Sequence, residues 1–179
     1  WAIDEAHRIA SPVVVDLGTG TGAIGLSVAA EVEDATVHLT DVSPDAVSVA
    51  RAYLISLGSS AATRVTILAG SWFSPLPEIL RGTIDVIVSN PPYVCDADPL
   101  PPVVQDWEPE LALRAGPDGL RDLNLIVDQA HQWLTPGGLL VLEMAPQQTA
   151  TIAERCRERG FGHAEVRADL SGRDRAVLA

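Results

Sequence analysis

Residues 84–93 constrain the fold more than any other stretch of the chain, and they read Ile-Asp-Val-Ile-Val-Ser-Asn-Pro-Pro-Tyr. The first half is a short β-branched run, which is typical of a strand buried in a parallel sheet. Pro91 and Pro92 stop that strand, because neither has a backbone N–H and each holds φ at about −65°. The sequence therefore predicts a rigid corner at the carboxyl end of a strand, where ligands bind in open α/β sheets.

This corner offers hydrogen-bond acceptors to a ligand. The side-chain carbonyl of Asn90 and the main-chain carbonyl of Pro91 can together accept both hydrogens of a planar –NH2 group. Pro92 stiffens the corner, and Tyr93 supplies a flat face for a planar group or a cation. We expect Asn90, Pro91 and Tyr93 to serve chemistry at an sp2 amine or amide nitrogen. The plain structural alternative is a strand that ends in a proline turn with a buried tyrosine.

A glycine-rich turn follows the first predicted strand, residues 13–17, and consists of Gly18, Thr19, Gly20, Thr21 and Gly22. Alternate glycines let the backbone approach a ligand, and the N-terminus of the helix predicted over residues 23–30 favours a carboxylate. Asp16, at the strand tip, is placed to accept from an ammonium group. Residues 20–25 also fit the dinucleotide pattern Gly-x-Gly-x-x-Gly, so the glycines alone do not name a cofactor. A structural turn without a ligand is the alternative.

Two further segments are predicted at the same edge of the sheet. Asp41 follows the second strand, residues 36–40, roughly 20 residues beyond the glycine-rich turn, where an acid can accept both hydroxyls of a ribose. Ser71, Trp72 and Phe73 follow the third strand, residues 64–68, where an adenine could lie. The alternatives are a solvated loop aspartate and aromatic side chains that only plug the sheet edge.

The remaining sequence predicts alternating strands and helices. Further helices are expected over residues 44–57, 120–134 and 146–159, the last strand of the alternation over 139–143, and a hairpin over 161–178. Thr135-Pro136-Gly137-Gly138 should separate the second of these helices from the strand. Residues 94–119 form a long irregular segment, which is typical of a binding loop or lid. This order predicts a doubly wound α/β sheet, mostly parallel, with one antiparallel strand from the C-terminal hairpin.

The composition of the chain disfavours several classes of function. The net charge is −12 and every basic residue except histidine is an arginine, so the chain is poorly equipped to hold phosphate backbones. Cys95 and Cys156 are too few and too far apart for a disulfide framework or a metal site, and the four histidines show no ligand spacing. No stretch reaches membrane-spanning length. Residues 1–10 suggest the tail of an amphipathic helix that joins the chain to a missing N-terminal part.

Several stretches together resemble the class I S-adenosylmethionine-dependent methyltransferases and, more narrowly, the N5-glutamine methyltransferases of peptide chain release factors. They are Asp-Leu-Gly-Thr-Gly-Thr-Gly-Ala-Ile at 16–24, Ser-Trp-Phe at 71–73, Ile-Val-Ser-Asn-Pro-Pro-Tyr at 87–93, Glu-Pro at 108–109, Leu-Ala-Leu at 111–113, Gly-Pro-Asp-Gly-Leu at 116–120 and Gly-Arg-Asp-Arg at 172–175. The resemblance covers residues 13–178. It implies one Rossmann-like methyltransferase domain over residues 1–179, without the family's N-terminal helical domain for substrate recognition.

The resemblance also implies roles for individual residues. The glycine-rich turn and Asp41 would hold the methionine and ribose parts of S-adenosylmethionine, Trp72 would lie at the adenine, and Asn90 with Pro91 would grip the substrate amide. The sequence departs from the family at Ser71, where an Asp is usual, at Tyr53, often Asn, and at Ala145, usually Gly. Glu108 and Glu143 are candidates to support the site. The resemblance implies a cytoplasmic, monomeric enzyme with a release factor as partner, without metal, nucleic acid or membrane.

Three other functions stay open at this point. Asn-Pro-Pro-Tyr also occurs in enzymes that methylate adenine N6, although those need basic surfaces. The literal dinucleotide pattern would suit a nicotinamide-dependent oxidoreductase. The third is a cofactor-binding module without activity. Nucleic-acid binding at low salt would favour the first, and binding of NAD rather than S-adenosylhomocysteine would favour the second.

Overall fold

The computed structural model describes residues 1–100 and 109–179. The strands in these ranges are β1 Val13–Leu17, β2 Thr36–Asp41, β3 Val65–Ala69, β4 Ile84–Ser89, β5 Leu134–Glu143, β6 Glu165–Ala168 and β7 Asp174–Leu178. The α-helices are α1 Ala2–Ala6, α2 Ala23–Glu31, α3 Pro44–Leu57, α4 Ser59–Ala62, α5 Arg121–Ala130 and α6 Thr149–Glu158. Short 3-10 helices span Glu78–Leu80, Glu110–Ala112 and Pro146–Gln148. No helix within the described ranges has the length and apolarity to span a membrane.

The strands form one sheet in the order β3-β2-β1-β4-β5-β7-β6. β1 lies between β2 and β4 and pairs with both in parallel, and β2 pairs with β3 in parallel. β6 and β7 pair antiparallel as the predicted C-terminal hairpin. The predicted fold class, a doubly wound and mostly parallel α/β sheet with an antiparallel hairpin, is confirmed.

The chain divides into two compact units. The first contains Trp1–Ser89 and Ala130–Val141, and the second contains Asn90–Gln129 and Leu142–Ala179. In the first unit the core is built by strands whose residues are apolar in succession, because both faces of a parallel sheet are covered. Its fully buried strand residues include Val14, Val15, Leu17, Val37, Leu39, Ile84, Val86 and Ile87. In the second unit the buried side chains include Leu123, Ile126, Met144, Ile152 and Cys156.

Local signals place the ends of α3 as predicted. Ser43 is the N-cap, and its hydroxyl accepts a hydrogen bond from the backbone N–H of Ala46 at 3.3 Å. Pro44 occupies the first helical position, where a missing N–H costs nothing. Gly58 ends the helix with φ of +93°, a conformation that favours glycine. The helix therefore begins and ends where the turn chemistry requires.

The prediction was wrong between residues 131 and 138. The predicted helix over residues 120–134 ends at Ala130, and β5 begins at Leu134 and runs through the Thr-Pro-Gly-Gly segment. The backbone N–H of Ile84 donates to the carbonyl of Trp133 at 3.1 Å, so this segment is tied to β4. Gly138 makes the approach possible, because a Cβ there would lie 3.0 Å from the carbonyl oxygen of Ile84.

The connection between β3 and β4 also differs from a regular alternation. Residues 70–83 are all described, and they contain only the 3-10 helix Glu78–Leu80. Pro75 packs closely on Gly70, where a Cβ would lie 2.9 Å from the proline ring. The prolines in this connection disfavour a long helix. The crossover from β3 to β4 is therefore made without an α-helix.

A substitution at the N-cap of α3 tests whether the Ser43 hydroxyl stabilises this helix. Replacing Ser43 with alanine leaves the N–H of Ala46 without its side-chain acceptor, and we expect the free energy of unfolding to fall by about 1 kcal/mol in urea denaturation. Ser56→Ala is the matched control, because Ser56 is exposed within the same helix, and its hydroxyl bonds only the carbonyl of Ala52 among the residues that the structure describes. The control should be neutral or slightly stabilising. Equal losses in the two variants would contradict the capping role.

Candidate active site

The carboxylate of Asp16 lies buried at the end of β1, with 1% of the residue exposed. Its Oδ2 accepts hydrogen bonds from the Thr19 hydroxyl at 2.5 Å and from the Gly25 N–H at 2.8 Å. Oδ1 is buried and has no hydrogen-bond partner in the described part of the chain. Burial raises the pKa of Asp16 from 3.8 to about 6, against the lowering effect of the two hydrogen bonds, and Asp41 raises it further. Asp16 therefore organises the turn and keeps one acceptor unused.

The glycine-rich turn follows β1 as predicted. Gly18, Gly20 and Gly22 all have positive φ, of +66°, +57° and +87°, which is why glycine suits these positions. The N–H of Thr19 donates to the carbonyl of Thr40 at 3.0 Å and so ties the turn to β2. Apart from the two chain neighbours of Gly20, no atom of residues 1–100 or 109–179 lies within 4 Å of where a Cβ on Gly20 would be, so the backbone there faces open space. A ligand can approach the main chain at that point.

Asp41 joins the glycine-rich turn to the end of β2. Its Oδ2 accepts from the N–H of Gly20 and its Oδ1 from the N–H of Ser43, both at 2.8 Å. Its main-chain carbonyl accepts from the N–H of Gly70 at 2.9 Å. Asp41 is nearly buried, at 9% exposure. The alternative of a solvated loop aspartate is therefore wrong, and the structure places Asp41 against Gly20.

Trp72 and Phe73, the two aromatic residues after β3, lie in different surroundings. Trp72 is half-buried, and its ring lies against Gly18, where a Cβ would come within 3.0 Å of Cζ3. Its φ of +47° is uncommon for a residue with a side chain. Phe73 is buried and stacks on Trp133 with ring centroids 5.6 Å apart. Phe73 therefore plugs the core, whereas Trp72 borders the glycine-rich turn; Ser71 is exposed beside it.

The proline corner begins directly after β4. Ser89 is buried, and its hydroxyl donates to the carbonyl of Leu17 at 2.6 Å. Asn90 is exposed and Pro91 is buried, while Pro92 and Tyr93 are half-buried. The alternative of a buried tyrosine is therefore wrong. Asn90 is therefore a surface residue that directly follows β4.

Sequence reasoning missed the residue that holds the far end of this corner. The side chain of Gln148, near the end of a 3-10 helix, donates to the carbonyl of Tyr93 at 2.9 Å. No motif or spacing pointed to Gln148 itself, although its partners Tyr93, Asp118 and Gly119 fell in stretches that carried the resemblance. Among the other predicted supports, Glu143 ends β5 and is half-buried, and Glu108 lies outside the described residues.

Tyr53, one of the departures from the family pattern, lies away from these contacts. It borders a groove of about 440 Å³ between α2 and α3, together with Leu26 and Leu57. Thr21 and Gly22 also line the groove, but Asp16, Asp41 and Trp72 do not. Within the first unit the structure thus brings Asp16, Thr19, Gly20, Asp41 and Trp72 together around the turn and leaves Tyr53 apart. Thr21 is exposed on the side of the groove.

Comparison with known proteins gives the family. Residues 3–106 match the methyltransferase small domain family. The chain belongs to this family. A crystal structure of a methyltransferase from Pyrococcus furiosus is 20% identical and has a TM-score of 0.66 over 94% of this chain and 74% of that one. At this identity the likeness shows a shared fold.

Curated relatives confirm the narrower resemblance. A release factor glutamine methyltransferase of Deinococcus radiodurans is 42% identical over 99% of this chain and 61% of that protein. A second, of Cereibacter sphaeroides, is 40% identical over 93% of this chain and 58% of that protein. The chain therefore spans about three fifths of the length of these curated relatives.

The raised pKa of Asp16 predicts an unusual pH dependence of stability. The unfolded chain keeps the ordinary pKa of 3.8, so the folded state binds this proton more tightly than the unfolded state does. The stability of the protein relative to Asp16→Asn should be greatest below about pH 4 and fall as the pH rises through about 6. The full difference corresponds to about 3 kcal/mol. Urea unfolding of both proteins from pH 4 to 7 measures this difference in stability. If the free energies of unfolding of the two proteins change with pH in parallel, the raised pKa of Asp16 is contradicted.

Proposed function

We propose that the chain transfers a methyl group from S-adenosylmethionine to the side-chain amide nitrogen (N5) of a glutamine in a peptide chain release factor. One observation carries the proposal. Asn90 directly follows Ser89, and Ser89 is the register partner of Leu17, the last residue before the glycine-rich turn. The relatives named release factor glutamine methyltransferase, at 36–42% identity, support the same activity. We place the catalytic domain across residues 1–179.

The glycine-rich turn fits the proposed cofactor. In the described part of the chain the buried Oδ1 of Asp16 has no donor, and an ammonium group would supply one. Each carboxylate oxygen of Asp41 accepts one hydrogen bond from these residues and can accept another, which suits a ribose diol. The half-buried ring of Trp72 suits an adenine. The proposed cofactor contacts are Asp16, Gly18, Thr19, Gly20, Thr21, Gly22, Asp41, Ser71, Trp72 and Asn90. When bound, S-adenosylmethionine supplies an electrophilic methyl group on a sulfonium.

The proline corner fits the proposed substrate group. Asn90 Oδ1 and the carbonyl of Pro91 would each accept one hydrogen of the glutamine –NH2. A glutamine amide has two such hydrogens, so the pair of acceptors fixes the direction in which its nitrogen faces. Pro92 would keep the carbonyl of Pro91 in place, and Tyr93 would pack on the flat amide.

Positioning supplies much of the proposed rate. An amide nitrogen is a poor nucleophile because its lone pair is delocalised, and holding reactants in an attack geometry is worth roughly 7–11 kcal/mol. Acceptors on both N–H groups also stabilise the positive charge that grows on the nitrogen during attack. No side-chain base is required, since the N–H becomes acidic once the nitrogen carries that charge: its proton would pass to water, and S-adenosylhomocysteine would be the leaving group. Asn90 and Pro91 would therefore act as acceptors that orient and stabilise rather than as bases.

The proposed partner is the glutamine-bearing loop of a release factor. We propose that the chain acts on it as a cytoplasmic monomer and uses neither nucleic acid nor a membrane. The net charge of −12, without a single lysine, disfavours contact with phosphate backbones. This charge separates the proposal from methylation of adenine N6.

Asn90 provides the test of the proposed activity. With purified release factor and methyl-labelled S-adenosylmethionine, Asn90→Ala should lower kcat by about 100-fold or more, because one of the two acceptors is lost. Its affinity for S-adenosylhomocysteine should stay within about threefold of the original protein. Asn124→Ala, at a half-buried asparagine on α5, is the matched control and should keep full turnover. Label transfer that survives Asn90→Ala would refute its role, and no transfer by the original protein would refute the activity.

Asp16 provides an independent test of the cofactor. At pH 6 about half of Asp16 is protonated, and an ammonium group bound beside it favours the charged form. Calorimetry with S-adenosylhomocysteine, in two buffers of different ionisation enthalpy, should therefore detect proton release on binding. Asp16→Asn should bind without that release, and NAD should not bind at all. Binding of NAD, or identical proton release by Asp16→Asn, would count against the assignment.

A further inference from the structure

The side chain of Gln148 joins three separate segments of the second unit. Gln148 is buried, with 5% of the residue exposed. Its Nε2 donates to the carbonyls of Tyr93 at 2.9 Å and Gly119 at 3.2 Å, and lies 3.4 Å from the carbonyl of Asp118. Its Oε1 accepts from the N–H of Ala145 at 3.1 Å. Carbonyls at one end of the amide and an N–H at the other fix its orientation.

The proline corner depends on such outside contacts. Pro91 and Pro92 have no N–H, so they donate no hydrogen bond that could hold the corner. Beyond them, the carbonyl of Tyr93 is held by Gln148. The next residue, Val94, donates to the carbonyl of Leu113 at 2.8 Å. Among the described residues, the Tyr93 carbonyl is therefore the first main-chain group after the two prolines that forms a hydrogen bond.

Gly119 shows how closely the segments approach. Its φ is +69°, and a Cβ there would lie 2.3 Å from the carbonyl oxygen of Tyr93 and 2.7 Å from Nε2 of Gln148. Only glycine leaves room for the carbonyl of Tyr93 and the amide of Gln148 to meet. The contact is thus built by three residues, Tyr93, Gly119 and Gln148, from distant parts of the sequence.

We propose that Gln148 is a positioning residue for methyl transfer, holding the Tyr93 end of the corner so that Asn90 and Pro91 face the substrate amide. The inference rests on the proposed function, because it assigns Gln148 a role in orienting that same amide. Gln148 itself touches no substrate. Gln148 acts through the main chain of residues 90–93. When its buried amide is removed, the carbonyls of Tyr93 and Gly119 lose the N–H donor that it supplies.

The test replaces Gln148 with methionine, which has a similar shape but neither donor nor acceptor for these groups. Methyl transfer to release factor should fall by about 10–100-fold in kcat, since a displacement of about 1 Å costs on this order. Affinity for S-adenosylhomocysteine should stay within about threefold. The matched control is Thr149→Val, because Thr149 is also buried at the adjacent position, and within the described ranges its hydroxyl bonds only the carbonyl of Pro146. The control should keep its kcat even if its stability falls equally.

Two further measurements separate this inference from the proposed function. Hydrogen exchange of the Val94 amide should quicken by about tenfold or more in Gln148→Met and not in Thr149→Val. Gln148→Glu should recover part of the lost kcat at low pH, where a neutral carboxyl donates to Tyr93 again, and lose it as the pH rises. Full kcat or unchanged Val94 exchange in Gln148→Met would overturn the inference. If the original protein transfers no label, the proposed function fails, and Val94 exchange alone decides the tether.

Discussion

The parallel register of β1 is the constraint on which the rest of the structure depends. Leu17 pairs with Thr40 on one side and with Ser89 on the other, so three strands end level at one edge of the sheet. The hydroxyl of Ser89 locks this register by donating to the carbonyl of Leu17. A slip of one residue would turn every side chain of a strand to the opposite face. The glycine-rich turn starts directly after β1 and Asp41 is the last residue of β2, so the register of these strands fixes where both lie; β4 ends at Ser89, one residue before Asn90.

Buried polar groups shape the proposed cofactor site at this edge. The carboxylate of Asp16 is desolvated, which disfavours its charge, yet it receives two hydrogen bonds that shape the turn and keeps a third acceptor position open. The carboxylate oxygens of Asp41 likewise accept hydrogen bonds from the N–H groups of Gly20 and Ser43. These groups stiffen the backbone before any ligand arrives, and preorganised polar groups of this kind favour binding and catalysis. The corner at Asn90 achieves the same stiffness with prolines.

Much of this could be read from the sequence where the signals are local. The β-branched runs predicted β1 and β4. Ser43, Pro44 and Gly58 predicted the ends of α3, because caps and prolines act on the backbone next to them. The stretch over residues 131–138 could not be read in this way. Its conformation follows from the pairing of Trp133 with Ile84, which overrides a Thr-Pro-Gly-Gly pattern typical of a break. The contacts of Gln148 could not be predicted for the same reason, since its partners are carbonyls from segments that are distant in the sequence.

We propose that the corner after β4 presents two oxygen acceptors that hold an amide –NH2. A crystal structure with S-adenosylhomocysteine and a glutamine peptide tests it most directly, through the distances from the glutamine nitrogen to Asn90 Oδ1 and to the carbonyl oxygen of Pro91. We expect both distances to lie at about 2.7–3.2 Å. A glutamine bound with its nitrogen away from both oxygens, or an Asn90 carboxamide turned inward, would contradict the account.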